Sequence, residues 1–493
     1  MESKQMWGTR TGFILAAIGS AIGLGNIWRF PYMAYENGGA AFLIPYFFAL
    51  ITAGIPILIL EFYIGHRMRT SVPSAFEKLG KFGWLGWWQI VISFVVSTYY
   101  SVIIAWALLY SFFAVTKSWG SQPEDYLMND FLGITNTETW SSNFLGGFQW
   151  HILIALAVVW GLAFIILHGG VRKGIERANK IFMPMLFAII LLILFRSVTL
   201  EGAAVGLNAL FSPEWGQILN SSTWISAYTQ IFFSLGIGLG AMITYASYLP
   251  KKSDITNNAF MTALANCGFS LLAGISVFGA LGFIAQQKGM PLDEVATGGV
   301  ILAFSVFPEI INAMPMGNII GVLFFVSLLF AGISSLVSMA EPFISALGDK
   351  FNIKRKHAVN WTLGSTALIS ILFATGSGLH LLDSIDRSVA VLSLSITGLM
   401  MVVMMSWKLR LIPTARHYVN EVSDFSLGRW WSVCLVVLTP LVLGYNAIMT
   451  LIGDIQHNYE GYPNSLIYTS WIVAIAILFV ALCFHFMKRS EAK

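Results

Sequence analysis

The sequence predicts an all-α integral membrane protein that crosses the bilayer twelve times. Apolar residues make up 57% of the 493 residues and charged residues only 11%, against about 25% charged residues in soluble domains. Uncharged runs of the roughly 20 residues that a helix needs to cross a bilayer recur along the chain. They define twelve predicted spans, near residues 10–34, 39–65, 84–115, 149–168, 175–198, 222–249, 257–284, 316–344, 357–378, 388–407, 430–452 and 464–487.

The placement of Lys and Arg predicts the orientation of these spans. Cytoplasmic loops of membrane proteins carry an excess of basic residues. With a cytoplasmic N-terminus, all but five of the 28 Lys and Arg residues fall at cytoplasmic ends or loops. We therefore expect both termini in the cytoplasm and the chain in the plasma (inner) membrane of the cell. The net charge of +4 then reflects topology, and no nucleic-acid partner is predicted.

Spans 1 and 6 share the tetrapeptide Ile-Gly-Leu-Gly, at 22–25 and at 237–240. Each glycine costs a helix about 1 kcal/mol relative to alanine, and irregular backbone survives in a membrane only where it lines a cavity within the protein. Close helix packing also uses small residues and is the alternative explanation. The matching positions in two halves of opposite orientation favour a secondary transporter with inverted repeats and a binding site at the breaks.

Further motifs surround the two tetrapeptides. They are GNIWRFPY at 25–32, ENGG at 36–39, QIFFS at 230–234, TYASY at 244–248, AGISS at 331–335 and RKHAV at 355–359. With them the chain resembles the neurotransmitter:sodium symporter family. The resemblance implies the LeuT fold, in which two inverted five-helix repeats alternate access to a site at the midplane. The repeats would occupy 1–200 and 201–408, with spans 11 and 12 and a cytoplasmic C-terminus in 409–493.

The resemblance also implies a substrate site between the two broken spans. The substrate carboxylate would meet the amides of Leu24 and Gly25 and the hydroxyl of Tyr100, for which the adjacent Tyr99 is an alternative. Half-helix ends carry the partial charges that suit a carboxylate and an ammonium group. The full implied set is Ala21, Gly23, Leu24, Gly25, Val96, Tyr100, Phe233, Ser234, Gly236, Leu239, Ser335 and Met339.

Gly23 indicates the class of substrate. Family members that carry monoamines place an aspartate at this position, where it substitutes for the carboxylate that the substrate lacks. A glycine therefore favours an α-amino acid, which brings its own carboxylate. The implied lining contains no charged side chain, and Gly236 and Leu239 leave room, so we expect a neutral amino acid with a large apolar side chain.

Two sodium sites and one chloride site follow from the same resemblance. Sodium site 1 would use Ala21, Asn26, Ser234 and Asn266, completed by the substrate carboxylate, and sodium site 2 would use Gly19, Ile22, Ala331, Ser334 and Ser335. For a lone serine in a span, a hydrogen bond to its own helix is the alternative. Chloride would bind Tyr46, Gln230, Ser234, Asn266 and Ser270. Many bacterial members carry glutamate in place of Ser270, for which a packing role is the alternative.

Two gates are implied as well. Arg29 and Asp386 resemble the outer pair, with Asp383 as the alternative acid. The inner gate would consist of Lys4, Trp7, Tyr248 and Asp349. Gly174 and Pro184 resemble the segment of span 5 that unwinds to hydrate the inner sodium site.

These observations together predict a sodium-coupled, chloride-dependent symporter of neutral, large apolar amino acids. We expect no enzymatic activity, because no nucleotide-binding loop or catalytic constellation is present in the sequence. The partners are the small-molecule substrate and the lipid bilayer, and no obligatory protein partner is expected. The alternatives are a sodium symporter of another small amine or amino acid, and a sensor that binds an amino acid without transporting it.

Overall fold

The computed structural model describes residues 5–134, 145–295, 298–456 and 458–488. In this part of the chain helices are joined by loops, and no β-strand forms. The predicted all-α membrane class is therefore confirmed. The spans are Arg10–Ala21 with Gly25–Glu36 (span 1), Gly39–Met68 (2), Gly83–Thr116 (3), Trp150–His168 (4), Val171–Val198 (5), Ser221–Ser234 with Ala241–Ser247 (6), Ile255–Lys288 (7), Gly317–Phe351 (8), Arg355–Ser370 (9), Gly378–Lys408 (10), Arg429–Gln456 (11) and Asn464–Phe486 (12).

Nine of these spans are continuous helices that are long and apolar enough to cross a membrane, counted over the described residues. Span 1 passes the same test as two helices bent by 53° at their junction. Span 6 is divided in two, and span 9 is shorter than predicted because its helix ends at Ser370. The apolar run continues beyond that point as a tight turn at Ile371–Phe373. Hydropathy therefore located the segment but not its end.

The helices divide into an inner and an outer set. In span 3, 83% of the apolar window is buried within the protein, whereas in span 12 only 22% is buried. Spans 4, 5 and 11 are likewise mostly exposed, with 39%, 33% and 28% of their windows buried. Span 1 packs against spans 5, 7 and 8, and span 3 packs along span 8. The broken span 1 thus lies at the centre, and the outer helices present apolar surface suited to lipid.

The break in span 1 occupies three residues. The first helix ends at Ala21, and Ile22 adopts an extended conformation with φ −75° and ψ 104°. The second helix begins at Gly25. The last carbonyls of one helix and the first amides of the next have no partners within their helices, so they are free to bind other groups.

The break in span 6 depends on three alternating glycines. Gly236, Gly238 and Gly240 have φ angles of 61°, 83° and 75°, values that residues with a side chain rarely adopt. The backbone is therefore unwound here, as the sequence predicts, and its conformation requires glycine. The division of the whole chain into two inverted repeats stays a prediction.

Replacing Gly238 with alanine should destabilise this break. The left-handed conformation costs a non-glycine residue about 1–2 kcal/mol, and an added methyl group would lie 3.2 Å from Leu394 Cδ1. We expect a lower melting temperature for the detergent-solubilised protein, measured by thermal unfolding.

The matched control is Gly268→Ala. Gly268 lies within the regular helix of span 7, and a methyl group there would meet no atom within 4 Å. That variant should melt no lower than the wild type, since alanine favours a helix over glycine. Equal losses in both variants would contradict the role assigned to the φ angle.

Candidate functional site

The two breaks lie against each other inside the protein. Gly23 and Gly25 in span 1 and Gly236 and Leu239 in span 6 remain partly accessible, although most residues around them are buried. An added methyl group at Gly25 would lie 3.3 Å from the ring of Phe233 in span 6. The two predicted halves of the substrate site are therefore in contact at the breaks.

Tyr100 connects span 3 to the break in span 1. Its hydroxyl oxygen accepts a hydrogen bond from the amide of Leu24 over 3.2 Å. A methyl group built at Gly23 would point toward the same hydroxyl at 3.1 Å and toward Ser335 Oγ at 3.4 Å. The alternative residue, Tyr99, instead donates to Asp386 over 2.7 Å and is buried. The structure thus places Tyr100, and not Tyr99, at the break.

Two further residues predicted to line the site, Val96 in span 3 and Met339 in span 8, are buried apolar groups. Val96 is 6% exposed and Met339 is 5% exposed, and the Met339 carbonyl is held by Ser93 Oγ at 2.9 Å. Gly236 faces open space, because Leu239 Cδ1, at 3.7 Å, is the nearest atom that an added methyl group would meet. There is thus open space beside Gly236 in span 6, and none of these residues is charged.

Three residues predicted for sodium site 1 share one hydrogen-bond cluster. Asn26 Nδ2 lies 3.1 Å from Ser234 Oγ and 2.9 Å from Asn266 Oδ1. Asn266 Nδ2 donates to Ser234 Oγ over 2.7 Å. Ala21, the fourth predicted ligand, ends the first helix of span 1, so its carbonyl belongs to the turn that lacks helical partners. The cluster contains the oxygen atoms Ser234 Oγ and Asn266 Oδ1, while Asn26 Oδ1 accepts from the Gly23 amide over 2.9 Å.

The five residues predicted for sodium site 2 also come together. Ser334 Oγ donates to the Gly19 carbonyl over 2.8 Å, and Ser335 Oγ donates to the Ile22 carbonyl over 3.2 Å. Ser334 Oγ also lies 2.9 Å from the carbonyl of Ala331 in its own helix, the contact expected of an ordinary span serine. The hydrogen bond from Ser334 Oγ to the Gly19 carbonyl reaches span 1. This bond between spans distinguishes a shared cluster from hydrogen bonding within one helix.

One of the residues predicted for chloride carries a buried side-chain amide without hydrogen-bond partners. Gln230 is fully buried, and neither atom of its side-chain amide has a hydrogen-bond partner. Ser270 Oγ accepts from Asn26 Nδ2 over 2.8 Å, and the Tyr46 hydroxyl donates to Cys267 Sγ over 3.3 Å. Hydroxyl and amide donors with no carboxylate among them suit an anion. The orphaned Gln230 amide is the observation that fits chloride here.

The outer gate residues lie near each other without a direct ion pair. The Arg29 guanidinium stacks over the ring of Phe233, with 4.8 Å between the guanidinium carbon and the ring centroid. Asp386 accepts the hydrogen bond from Tyr99, whereas Asp383 accepts from two tyrosines that precede span 12. Of the two acids, Asp386 is therefore the one that contacts span 3.

Trp7 and Tyr248 make the inner contacts. Trp7 Nε1 donates to the Tyr245 carbonyl over 2.8 Å, and the Trp7 amide donates to the Tyr248 carbonyl over 3.2 Å. Trp7 is 5% exposed. The N-terminal segment is thus held against the second helix of span 6.

Asp349 has partners in the loop after span 2. Its Oδ2 accepts from the Thr70 hydroxyl and from the Ser71 amide, each over 2.7 Å. These residues precede the short helix Val72–Gly80, whose first amides lack helical partners. Lys4, the predicted partner of Asp349, lies outside the described residues.

Comparisons with known proteins decide the family. The model of the sodium:neurotransmitter symporter family matches residues 4–126 and 117–491. The chain belongs to this family. A sodium-dependent transporter of Methanocaldococcus jannaschii is 42% identical over 478 residues, covering 96% of each chain. A Bos taurus sodium- and chloride-dependent taurine transporter is 30% identical over 519 residues, and a Bos taurus sodium-dependent dopamine transporter is 28% identical over 512 residues; both alignments cover 96% of this chain, and 83% and 72% of those relatives.

Membership of the symporter family confirms several predictions from sequence. The chain is a multi-pass membrane transporter of a sodium-dependent family, and the family adopts the LeuT fold with twelve spans. Its small-molecule substrate and its lipid environment follow from the same membership, and the family is one of transporters and not of enzymes.

The sequence interpretation did not include Glu61, a buried acid in span 2. Its Oε1 accepts the amide hydrogen of Gly238 at the break in span 6 over 2.9 Å, and its Oε2 has no partner. The signal was visible in the sequence, because a charged residue inside a span is a functional candidate by default.

A second overlooked group is the ion pair between Glu341 and Arg355. Two guanidinium nitrogens lie 2.7 Å from the two carboxylate oxygens, and Glu341 also accepts from the Tyr248 hydroxyl over 2.8 Å. The pair connects spans 8 and 9 to the inner end of span 6. Glu341 too was visible as a lone acid in an apolar run.

Proposed function

We propose that this symporter couples the inward movement of sodium to the uptake of neutral amino acids with large apolar side chains. The observation that carries the proposal is the geometry at Gly23. The Leu24 amide and the Tyr100 hydroxyl converge there, with no acidic side chain beside them. A substrate carboxylate is the group that such donors would hold, and the glycine leaves it the necessary space.

The ammonium and the side chain of the substrate would extend toward span 6. The carbonyls at the end of the helix Ser221–Ser234 carry the negative end of its dipole, which favours a cation. The open space beside Gly236 would receive the side chain. Since the lining offers no charged partner, a charged side chain would lose its hydration without compensation.

Sodium would be coupled to the substrate through a shared oxygen. Asn26, Ser234 and Asn266 lie next to the break in span 1, so one carboxylate oxygen of the substrate would complete site 1. Each ligand then raises the affinity for the other by the same factor. The membrane potential adds about 2.3 kcal/mol per charge and per 100 mV to the driving force. The cluster of Gly19 and Ser334 would hold the second ion.

Chloride would compensate the sodium charge at site 1. Ser234 and Asn266 belong to both predicted ion sites, and Asn26 contacts Ser270 as well. An uncompensated buried charge costs several kcal/mol. An anion held by Tyr46, Gln230 and Ser270 would supply the opposite charge.

Ser270→Glu should make uptake independent of chloride. A carboxylate at this position would replace the anion, because it brings a fixed negative charge beside Asn26. We expect wild-type uptake to fall about tenfold, or about 1.4 kcal/mol, when gluconate replaces chloride, and uptake by the variant to change less than twofold. The control is Ser270→Gln, which has similar size without the charge and should not become independent. Wild-type uptake that is equal in gluconate would contradict the chloride proposal alone.

The relatives suggest other substrates, which the same assay distinguishes. One relative is named for dopamine and another for taurine, so another small amine or amino acid is the second candidate. A sensor would bind its ligand without moving it. We propose for all of these the same plasma-membrane location, with cytoplasmic termini and repeats at 1–200 and 201–408.

Uptake into proteoliposomes tests the proposal. Purified protein would be offered a panel of radiolabelled amino acids, dopamine and taurine, with an inward gradient of sodium or of choline. We expect accumulation of leucine-like substrates only with sodium. Accumulation that is equal in choline would overturn sodium coupling, accumulation of dopamine or taurine alone would overturn the substrate class, and sodium-dependent binding without accumulation would indicate a sensor.

A further inference from the structure

Asn179 is a buried polar residue in span 5 that the proposed ion sites do not use. It is 2% exposed, and its Oδ1 has no hydrogen-bond partner. An unsatisfied buried acceptor costs about 1–3 kcal/mol. Buried polar atoms without a hydrogen-bond partner are rare in native proteins, and they often have a functional role.

The orientation of the Asn179 amide follows from its other contact. Nδ2 donates to the Ile175 carbonyl over 2.9 Å. That carbonyl can only accept, so the nitrogen must face it and the oxygen must point away. The free oxygen therefore points out of its own helix.

Asn179 Oδ1 points at Gly19 in span 1. A methyl group added at Gly19 would overlap this oxygen. Gly19 also supplies the carbonyl that accepts from Ser334 and Ser335 in the proposed sodium site 2. Asn179 thus stands directly behind a proposed sodium ligand, on the side of span 5.

Glu176 continues the same face of span 5. It lies three residues before Asn179, close to one helical turn, and toward the end proposed to be cytoplasmic. Its carboxylate accepts from the Gly8 amide and the Thr9 hydroxyl and pairs with Lys180 over 2.7 Å. A methyl group at Gly12 would overlap this carboxylate. Gly12 and Gly19 are seven residues apart in span 1. Because they lack side chains, span 1 approaches the side-chain oxygens of Glu176 and Asn179 in span 5 closely.

We propose that Asn179 Oδ1 is a transient sodium ligand on the exit path between sodium site 2 and Glu176. The inference rests on the proposed sodium-coupled function. A sodium ion that leaves site 2 loses oxygen ligands, and an apolar wall would oppose its passage. The free carbonyl oxygen of Asn179 offers a ligand at that step, and the carboxylate of Glu176 attracts the ion from the cytoplasmic side.

A ligand used only in passage should affect rates and not affinity. Asn179→Leu removes the oxygen with little change in volume, so net uptake of leucine into proteoliposomes should fall about tenfold, corresponding to about 1.4 kcal/mol of barrier. Counterflow of leucine with saturating sodium on both sides does not require net release of sodium and should change less than twofold. Asn179→Asp keeps an oxygen in place and should retain most of the net uptake.

Asn446→Leu is the matched control. Asn446 is a buried asparagine in span 11, 4% exposed, with an Oδ1 that likewise lacks a partner, and its variant should not separate uptake from counterflow. Equal loss of both activities in Asn179→Leu, no loss of either, or an Asp variant as slow as the Leu variant would overturn the inference. Sodium-independent uptake by the wild type would instead overturn the proposed function, and this inference with it.

Discussion

Gly23→Asp is expected to abolish amino-acid uptake. The new side chain would point at Tyr100 Oη and Ser335 Oγ, which an added methyl group would approach to 3.1 and 3.4 Å. Its carboxylate would occupy the place proposed for the carboxylate of the substrate. Two like charges at one buried site repel each other strongly, so we expect leucine affinity to fall by at least about 100-fold, or about 2.8 kcal/mol.

The same variant should gain affinity for an amine without a carboxylate. Isoamylamine, which is leucine without its carboxylate, would leave space for the aspartate. The aspartate carboxylate would then complete sodium site 1 in place of the substrate carboxylate. Competition binding with leucine and isoamylamine measures both changes. Gly23→Asn is the control, because it matches aspartate in shape but carries no charge and should not favour the amine. Unchanged leucine binding in Gly23→Asp would contradict the assigned carboxylate position.

Arg355→Ala is expected to destabilise the protein more than any surface substitution. Glu341 is fully buried, and Arg355 neutralises it through two short contacts. Removing one member of a buried ion pair leaves an uncompensated charge and costs about 3–5 kcal/mol. Thermal unfolding of the detergent-solubilised protein should show a clearly lower melting temperature.

Two further variants separate this effect from a general loss of contacts. Glu341→Gln added to Arg355→Ala removes the orphaned charge, so the double variant should melt above the single one. Lys288→Ala breaks the pair with Glu309, whose side chains are 36% and 31% exposed, and such pairs contribute at most about 1 kcal/mol. A single Arg355→Ala variant as stable as Lys288→Ala would contradict the argument.

Sequence reasoning located the broken spans because glycine leaves a local signal. Residues 236, 238 and 240 require positive φ angles that glycine alone adopts freely. The helix ends were less accessible, because hydropathy does not register where hydrogen bonding stops. Span 9 shows this, since its apolar sequence continues past the last helical residue, Ser370.

Pairings between distant residues were the part that sequence could not give. Tyr99 and Tyr100 are adjacent and alike, and only their helical directions assign one to Asp386 and the other to Leu24. Asp349 accepts hydrogen bonds from the loop after span 2, contacts that the sequence did not indicate. Family resemblance named the ion-site residues, but their convergence depends on the packing of separate spans.

The contact between the Leu24 amide and Tyr100 has a consequence for how substrate preference can evolve. The amino and carboxylate groups that all α-amino acids share would be recognised largely by main-chain atoms at the breaks, which every substitution except one to proline leaves in place. The part that differs among them would face side chains such as Val96 and Leu239, which single nucleotide changes can alter. Descendants of this chain could thus exchange one substrate for another while inheriting the same coupling to sodium.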